Sequence, residues 1–450
     1  MPITRNRVLT REERRQIGRR ARTQASRIGQ AEWNPSARNF DLVELLLASE
    51  EGRVSDLLSI KHQRMCLTPF SFYRGAVPLM AADLALHPRT EIITQLCGDA
   101  HVHNLGSYAA PDGRVIFDLN DFDETIQGPF EWDVKRMAAS LVLAGRTAGD
   151  SDRQCKDAVL QFVASYRDSM RQFSQMAVLD LARFQVTRFA RKSPVAMVLQ
   201  KAERITNQKS FSKLTVEREG KHYLREQKPL QFAAPPSVTS KVKQAIHDYS
   251  LTLLPERRHF FDQYHVEHVG FRVVGCGSVG MRDYVALMLG GGPDDPLFLQ
   301  VKQATKSAYA PYLPDARVPA NQGERVAEGQ RAMQMQSDIF LGWTSMGDRD
   351  YLVRQLRDHK ASIEDDELKG EGLAEYARVC GELLAKGHAR AGDPCVIYGY
   401  MGNSPKFDRG IARFAMVYAN QADTDFEKFK RAMRSKSQAK PKAKTASAGK

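Results

Sequence analysis

Two β-rich patches, residues 92–119 and 269–302, are separated in this chain by a long helical stretch, and that separation limits the fold more than any other feature. From Trp132 to about Phe173 the apolar spacing is helical, through Val134, Met137, Ala138, Leu141 and Val142, then Val159, Phe162, Val163, Tyr166 and Met170. Residues 174–262 read as further polar helix, broken at Pro235-Pro236. A barrel of eight βα repeats has no room for its strands in such a chain. The expected class is α+β, with a small antiparallel β lobe and a large helical lobe.

In the second patch, Val269–Val274, Tyr284–Leu289 and Leu297–Lys302 read as three adjacent antiparallel strands, the last pair joined by the turn Gly290–Pro296. Tyr351–Leu356 is a further strand. Between the first two lies Gly275-Cys-Gly-Ser-Val-Gly280, a G-x-G-x-x-G. A Rossmann glycine loop opens a helix, whereas Asp283–Leu289 is strand-like, so this loop reads as a flap between two strands. Gly275, Gly277, Ser278 and Gly280 would bring backbone amides close to phosphates without Cβ clashes. Lys302 ends Leu-Gln-Val-Lys, comparable to the V-A-I-K strand of kinases, where the lysine binds nucleotide phosphates. The helix capped by Asn321 offers Glu324 and Glu328, one turn apart, as its partner, and Glu328 is preferred.

The first patch holds the densest polar chemistry. After the strand-like Ile92–Cys97, Gly98-Asp-Ala-His-Val-His-Asn104 sets Asp99 and Asn104 at the D-x-x-x-x-N spacing of a kinase catalytic loop. In such a loop the Asp accepts the proton of an attacking hydroxyl and the Asn ligates magnesium. A hairpin turn at Asp112-Gly113 leads to Val115–Glu124, where Asp121 is the expected second magnesium ligand, with Asp118 and Asp123 as alternatives and His101 a further candidate. Asp133, in Gly128–Asp133, reads as a structural brace for the loop. Taken singly, each motif is matched by a blander reading, a capping Asp or a solvated acid; in register they point to phosphoryl transfer.

Together with Ser71-Phe-Tyr-Arg-Gly75, Gly329-Gln-Arg-Ala-Met-Gln334 and His388-Ala-Arg-Ala-Gly-Asp393, these residues resemble the bacterial family of domain of unknown function 2252, over roughly residues 40–430. Where the family pattern has Gly, this chain has His103. The family looks like part of the protein-kinase-like superfamily, related to aminoglycoside and choline kinases. That resemblance implies a two-lobed fold and Mg2+-dependent transfer of the γ-phosphate of ATP. The catalytic motifs at 98–123 precede the glycine loop and lysine at 275–302, the reverse of the usual kinase order, so the fold is expected to be circularly permuted. Gly372–His388 would then be the helix leading into the catalytic loop, and Tyr351–Lys360 the last strand and hinge. The expected organisation is a basic extension over 1–40, a helical lobe over 41–265 with the catalytic loop, a β lobe over 266–360, completing helices over 361–433 and a disordered Lys-rich tail over 434–450.

The net charge of +13 does not belong to the body of the chain. Residues 1–40 carry ten Arg against three Glu, and residues 431–450 carry seven Lys or Arg and no acid, which leaves the remainder at −1. Both ends read as solvated tails, and specific nucleic-acid binding is not expected. Six scattered cysteines without a C-x-x-C pair, no apolar run long enough to span a membrane and no apolar secretory leader fit a cytoplasmic protein. Two other functions compete: a pseudokinase that binds nucleotide for regulation, and an amidohydrolase in which Asp99-Ala-His-Val-His103 holds a metal. His388, Asp393, Arg74 and Arg390 read mainly as structural, with Arg74 or Arg390 as candidate contacts to substrate or phosphate. The acceptor hydroxyl is not legible in the sequence.

Overall fold

The computed structural model describes residues 8–439, apart from 188, 190–192, 206, 274, 357–360 and 365–366. It is a mixed α+β structure, about 52% helix and 16% strand. Its strands are β1 (Ile93–Leu96), β2 (Leu105–Ala109), β3 (Val115–Leu119), β4 (Ile126–Pro129), β5 (Thr215–Arg218), β6 (Lys221–Leu224), β7 (Gln231–Ala233), β8 (His265–Arg272), β9 (Asp283–Leu289), β10 (Pro296–Ala304), β11 (Gly342–Met346) and β12 (Arg349–Gln355). Every strand pair among the described residues is antiparallel.

One six-stranded sheet runs in the order β11-β12-β10-β9-β8-β7, and three two-stranded ribbons pair β1 with β4, β2 with β3 and β5 with β6. All of β9 and nearly all of β10 are buried, because both faces of the sheet are covered. On one face Val242, Ile246 and Tyr249 of the helix Pro236–Ser250 and Phe261 of the helix Pro255–Phe261 pack on Val269, Ala286, Leu299 and Val353. On the other, Phe211 and Leu224 cover Val285, Leu287 and Phe298. The sheet lobe therefore begins well before 266, and β5 to β7 lie within the stretch expected to be helical.

A second core joins the helices Phe130–Thr147, Asp152–Phe173, Glu371–Ala391 and Lys406–Ala439. The 132–173 periodicity is divided into two helices at Asp150-Ser151, where the Ser151 side chain and Gln154 form a capping box. The ribbons β1–β4 and β2–β3 sit on this core, with the loop Gly98–Asn104 between β1 and β2.

Among the described residues, the N-terminal basic segment is not a solvated tail. The helix Arg11–Arg20 lies against the helix Pro394–Met401, and Arg22 and Arg27 donate to the carbonyls of Gly399, Tyr400 and Met401, its last turn. Those carbonyls have no intrahelical partner and carry the negative end of the helix dipole, which explains the arginines. At the other end the last helix continues to Ala439, past the expected boundary at 434; residues 440–450 lie outside the described residues. No helix among the described residues is long and apolar enough to cross a membrane.

Candidate functional site

The loop after β1 turns sharply at Gly98, which has φ +83°, and a Cβ there would lie 2.2 Å from the Glu124 carbonyl oxygen. Only glycine fits both the conformation and the space. Asp133, in the first turn of Phe130–Thr147, accepts from the amides of Cys97 and Gly98 at 2.8 and 3.0 Å. His388 lies 3.2 Å from the same carboxylate and is held in turn by Tyr166 at 2.8 Å. Asp133 thus braces the loop from a helix N-terminus.

Asp99 and Asn104 come out of this loop into one cleft, with a cavity of about 110 Å³, between the sheet and the helical core. The Asn104 side-chain amide donates to the Asp99 carbonyl at 2.6 Å, a bond that does not use its amide oxygen. Oδ1 of Asp99 takes Nε and Nη2 of Arg136, at 2.7 and 2.6 Å, while Oδ2 lies 3.6 Å from Nε2 of His101. Arg136 is wholly buried and Asp99 is 19% exposed. Burial pushes the Asp99 carboxyl above the ordinary range, and Arg136 pulls the other way. Burial, reinforced by Arg74 and Arg136, drives His101 well below its ordinary value, so its imidazole is neutral.

Asp121 and Asp123 follow β3 and line the same cleft. Lys302, on β10, ion-pairs with Asp123 and lies 3.9 Å from Asp121. Burial would lower the Lys302 ammonium, but Asp121 and Asp123 outweigh it and hold it above its ordinary value. Asp118 does not reach the cleft: it is fully buried on β3 and ion-pairs with Lys386 of the helix Glu371–Ala391. That placement removes it from the metal-ligand candidates. The expected Lys302 partner is also corrected. Glu328 is exposed on the helix Gln322–Met333, Glu324 is half-buried, and neither ion-pairs with Lys302 among the described residues. Arg325, from the buried face of that helix, donates instead to the carbonyls of Asp123, Thr125 and Thr305.

The glycine loop roofs the cleft. Gly275 and Gly280 have φ of +73° and +88°, and Gly275, Gly277 and Ser278 line the cavity with Asp99, Asn104 and Asp121. Arg53 donates to the carbonyls of Gly277 and Val279, each at 2.6 Å, Arg64 donates to that of Gly275, and the Val54 amide donates to that of Gly280 at 2.8 Å. Four loop carbonyls are therefore held by residues 53–64, the start and body of the helix Ser55–Met65. Arg74 lines the same cavity.

Three residues that hold the loops of the cleft escaped the sequence reading. Arg136 stands three residues after Asp133, on the same helical face, and that spacing was a usable signal. Arg53 and Arg64 meet the loop across more than two hundred residues, and no local pattern marks them.

The fold and site define an α+β protein with an acidic cleft roofed by a glycine loop. The chain belongs to the family described as an uncharacterized protein conserved in bacteria (DUF2252), whose model matches residues 53–432. No curated protein and no solved structure matches it.

Proposed function

We propose that the protein is a kinase-like phosphotransferase with a circularly permuted two-lobe fold, moving the γ-phosphate of ATP, with Mg2+, to a hydroxyl acceptor. The observation that carries this reading is the meeting, in one cleft, of Asp99, Asn104 and Asp121 from the helical lobe with Gly275–Gly280 and Lys302 from the sheet lobe. A glycine loop between two strands, a lysine on the third and then a helix is also the order of a kinase small lobe. The permutation places the helix Glu371–Ala391 beside the catalytic loop from the far end of the chain, through His388 and Asp133.

The donor set fits the cofactors. Asn104 and Asp121 offer hard oxygens to one cavity, as magnesium requires, and the loop glycines leave backbone open to phosphate. ATP supplies the phosphoryl group and magnesium the positive charge that offsets its oxygens. In this reading Lys302 binds phosphate, Asn104 and Asp121 hold the metal, and Arg53 and Arg64 keep the loop in place. Arg136 fixes Asp99 by Oδ1, so that Oδ2 faces the acceptor and takes its proton. The amidohydrolase alternative needs a barrel of parallel strands, and the antiparallel pairing gives it no support.

Incubating the full chain with labelled MgATP and a metabolite mixture tests the proposal. Label should move to a small molecule with wild type and not with Asp99→Asn. One observation favours the regulatory alternative: Arg136 occupies Oδ1 of Asp99 and opposes the rise in basicity that burial gives the carboxylate. MgATP binding with no transfer to any acceptor, the protein included, would select that reading.

A further inference from the structure

The cations around the cleft are almost all engaged. Arg136 holds Asp99, Lys302 holds Asp123, and Arg53 is spent on loop carbonyls. Arg74 differs. It makes no ion pair and no side-chain hydrogen bond among the described residues, and its Nε is enclosed without an acceptor. Its guanidinium lies 5.9 Å from the centre of the Phe70 ring.

Arg74 is nevertheless firmly placed. It sits in the last turn of the helix Pro69–Gly75, whose Tyr73 hydroxyl donates to the Arg136 carbonyl at 2.7 Å and whose Tyr73 carbonyl accepts from Arg136 at 3.1 Å. The residue that clamps Asp99 therefore also fixes the backbone beside Arg74. It lines the cavity together with Asp99 and His101, and its charge acts on both. An enclosed donor without an acceptor is destabilising, and such groups in native structures call for a partner, a bound ligand among them.

We infer that Arg74 binds an oxyanion of the acceptor, so that the second substrate is a hydroxyl compound carrying a phosphate or carboxylate group. This rests on the phosphotransfer reading, in which Lys302, the glycine loop and the metal ligands already serve the nucleotide phosphates. Arg74 lines the cavity with Asp99, the group that receives the acceptor hydroxyl, while its backbone carbonyl faces Gly277 of the loop. The planar fork of a guanidinium matches a phosphate or carboxylate with two parallel hydrogen bonds, which a lysine cannot reproduce.

Calorimetric titration of the full chain with inorganic phosphate, with and without saturating MgADP, tests the assignment on wild type, Arg74→Gln and Arg74→Lys of matched unfolding midpoint. Wild type should bind phosphate with MgADP present, Arg74→Gln should bind it at least about tenfold more weakly, and Arg74→Lys should fall between. MgADP affinity should be the same in all three. Equal phosphate affinity in wild type and Arg74→Gln, or no phosphate binding by wild type, overturns the inference. Phosphate displaced by MgADP also overturns it, by giving the oxyanion to the nucleotide. Failure of MgADP to bind any variant sinks the phosphotransfer reading instead, and an Arg74-dependent phosphate site would survive that result.

Discussion

The Lys302 ammonium and the Asp123 carboxylate, 179 residues apart in sequence, close an ion pair between the sheet and the loop that follows β3. With Asp121 at 3.9 Å, Lys302 neutralises much of the acid in the cleft. Lys302→Met should leave two carboxylates without their cation. Because Asp123 keeps 35% side-chain exposure, the cost should be about 1–2 kcal/mol by urea denaturation, below the roughly 3–5 kcal/mol of a fully buried broken pair. MgATP turnover should be lost. A variant with unchanged turnover would remove Lys302 from the chemistry.

Gly98 and Gly113 separate two reasons for glycine. Both have positive φ, at +83° and +81°, but a Cβ at Gly98 meets backbone atoms of Glu124 at 2.2 and 2.5 Å, whereas nothing lies within 4 Å at Gly113. Gly113→Ala should cost only the conformational penalty, about 1 kcal/mol. Gly98→Ala must also displace the chain around Glu124 and should cost about 3 kcal/mol or more. Equal unfolding midpoints for the two variants would mean that the loop shifts without resistance.

Arg136 links loop geometry to pH dependence. It is the cation that counters burial at Asp99, so Arg136→Gln should let that carboxyl rise further. Asp99 would then lose its proton only at higher pH, and the acid limb of the turnover profile should move upward. Arg136→Lys, which keeps the charge but not the fork, should move it less while costing about 2 kcal/mol in stability. An acid limb that stays in place in Arg136→Gln assigns it to a group other than Asp99.

The glycine flap, the lysine strand and the Asp99–Asn104 loop were legible because each is a local pattern whose spacing carries its own geometry. Glu328 was misread because helical spacing says which residues share a face, not which face meets the sheet; tertiary packing turned Arg325 inward. The basic N-terminus was misread for a related reason. Composition counts charges, while the arginines there are used on carbonyls of a helix end nearly four hundred residues away. Deleting residues 8–31 should therefore expose the helix Pro394–Met401 and lower stability by about 2–4 kcal/mol in urea denaturation, where a solvated tail would leave the midpoint unchanged.

Asp283 gives a prediction that needs no assumption about activity. It is buried on β9 directly opposite Lys302, and its two oxygens accept from Gln300 at 3.0 and 2.8 Å. Burial pushes its carboxyl from 3.8 up to about 6, with Lys302 and Gln300 opposing. Between those two values the folded chain holds a proton that the unfolded chain has released. The contribution of this group to stability therefore falls as pH rises through the window, by about 3 kcal/mol in total. Asp283→Asn cannot ionise and keeps an oxygen for Gln300, so its stability relative to wild type should grow from about pH 4 to about pH 6 and level off above. Lys302→Met should extend the same slope to higher pH, because the cation that opposes burial is gone. Urea midpoints across that range check both, and a wild-type to Asp283→Asn difference independent of pH would mean that Asp283 ionises at its ordinary value despite its burial.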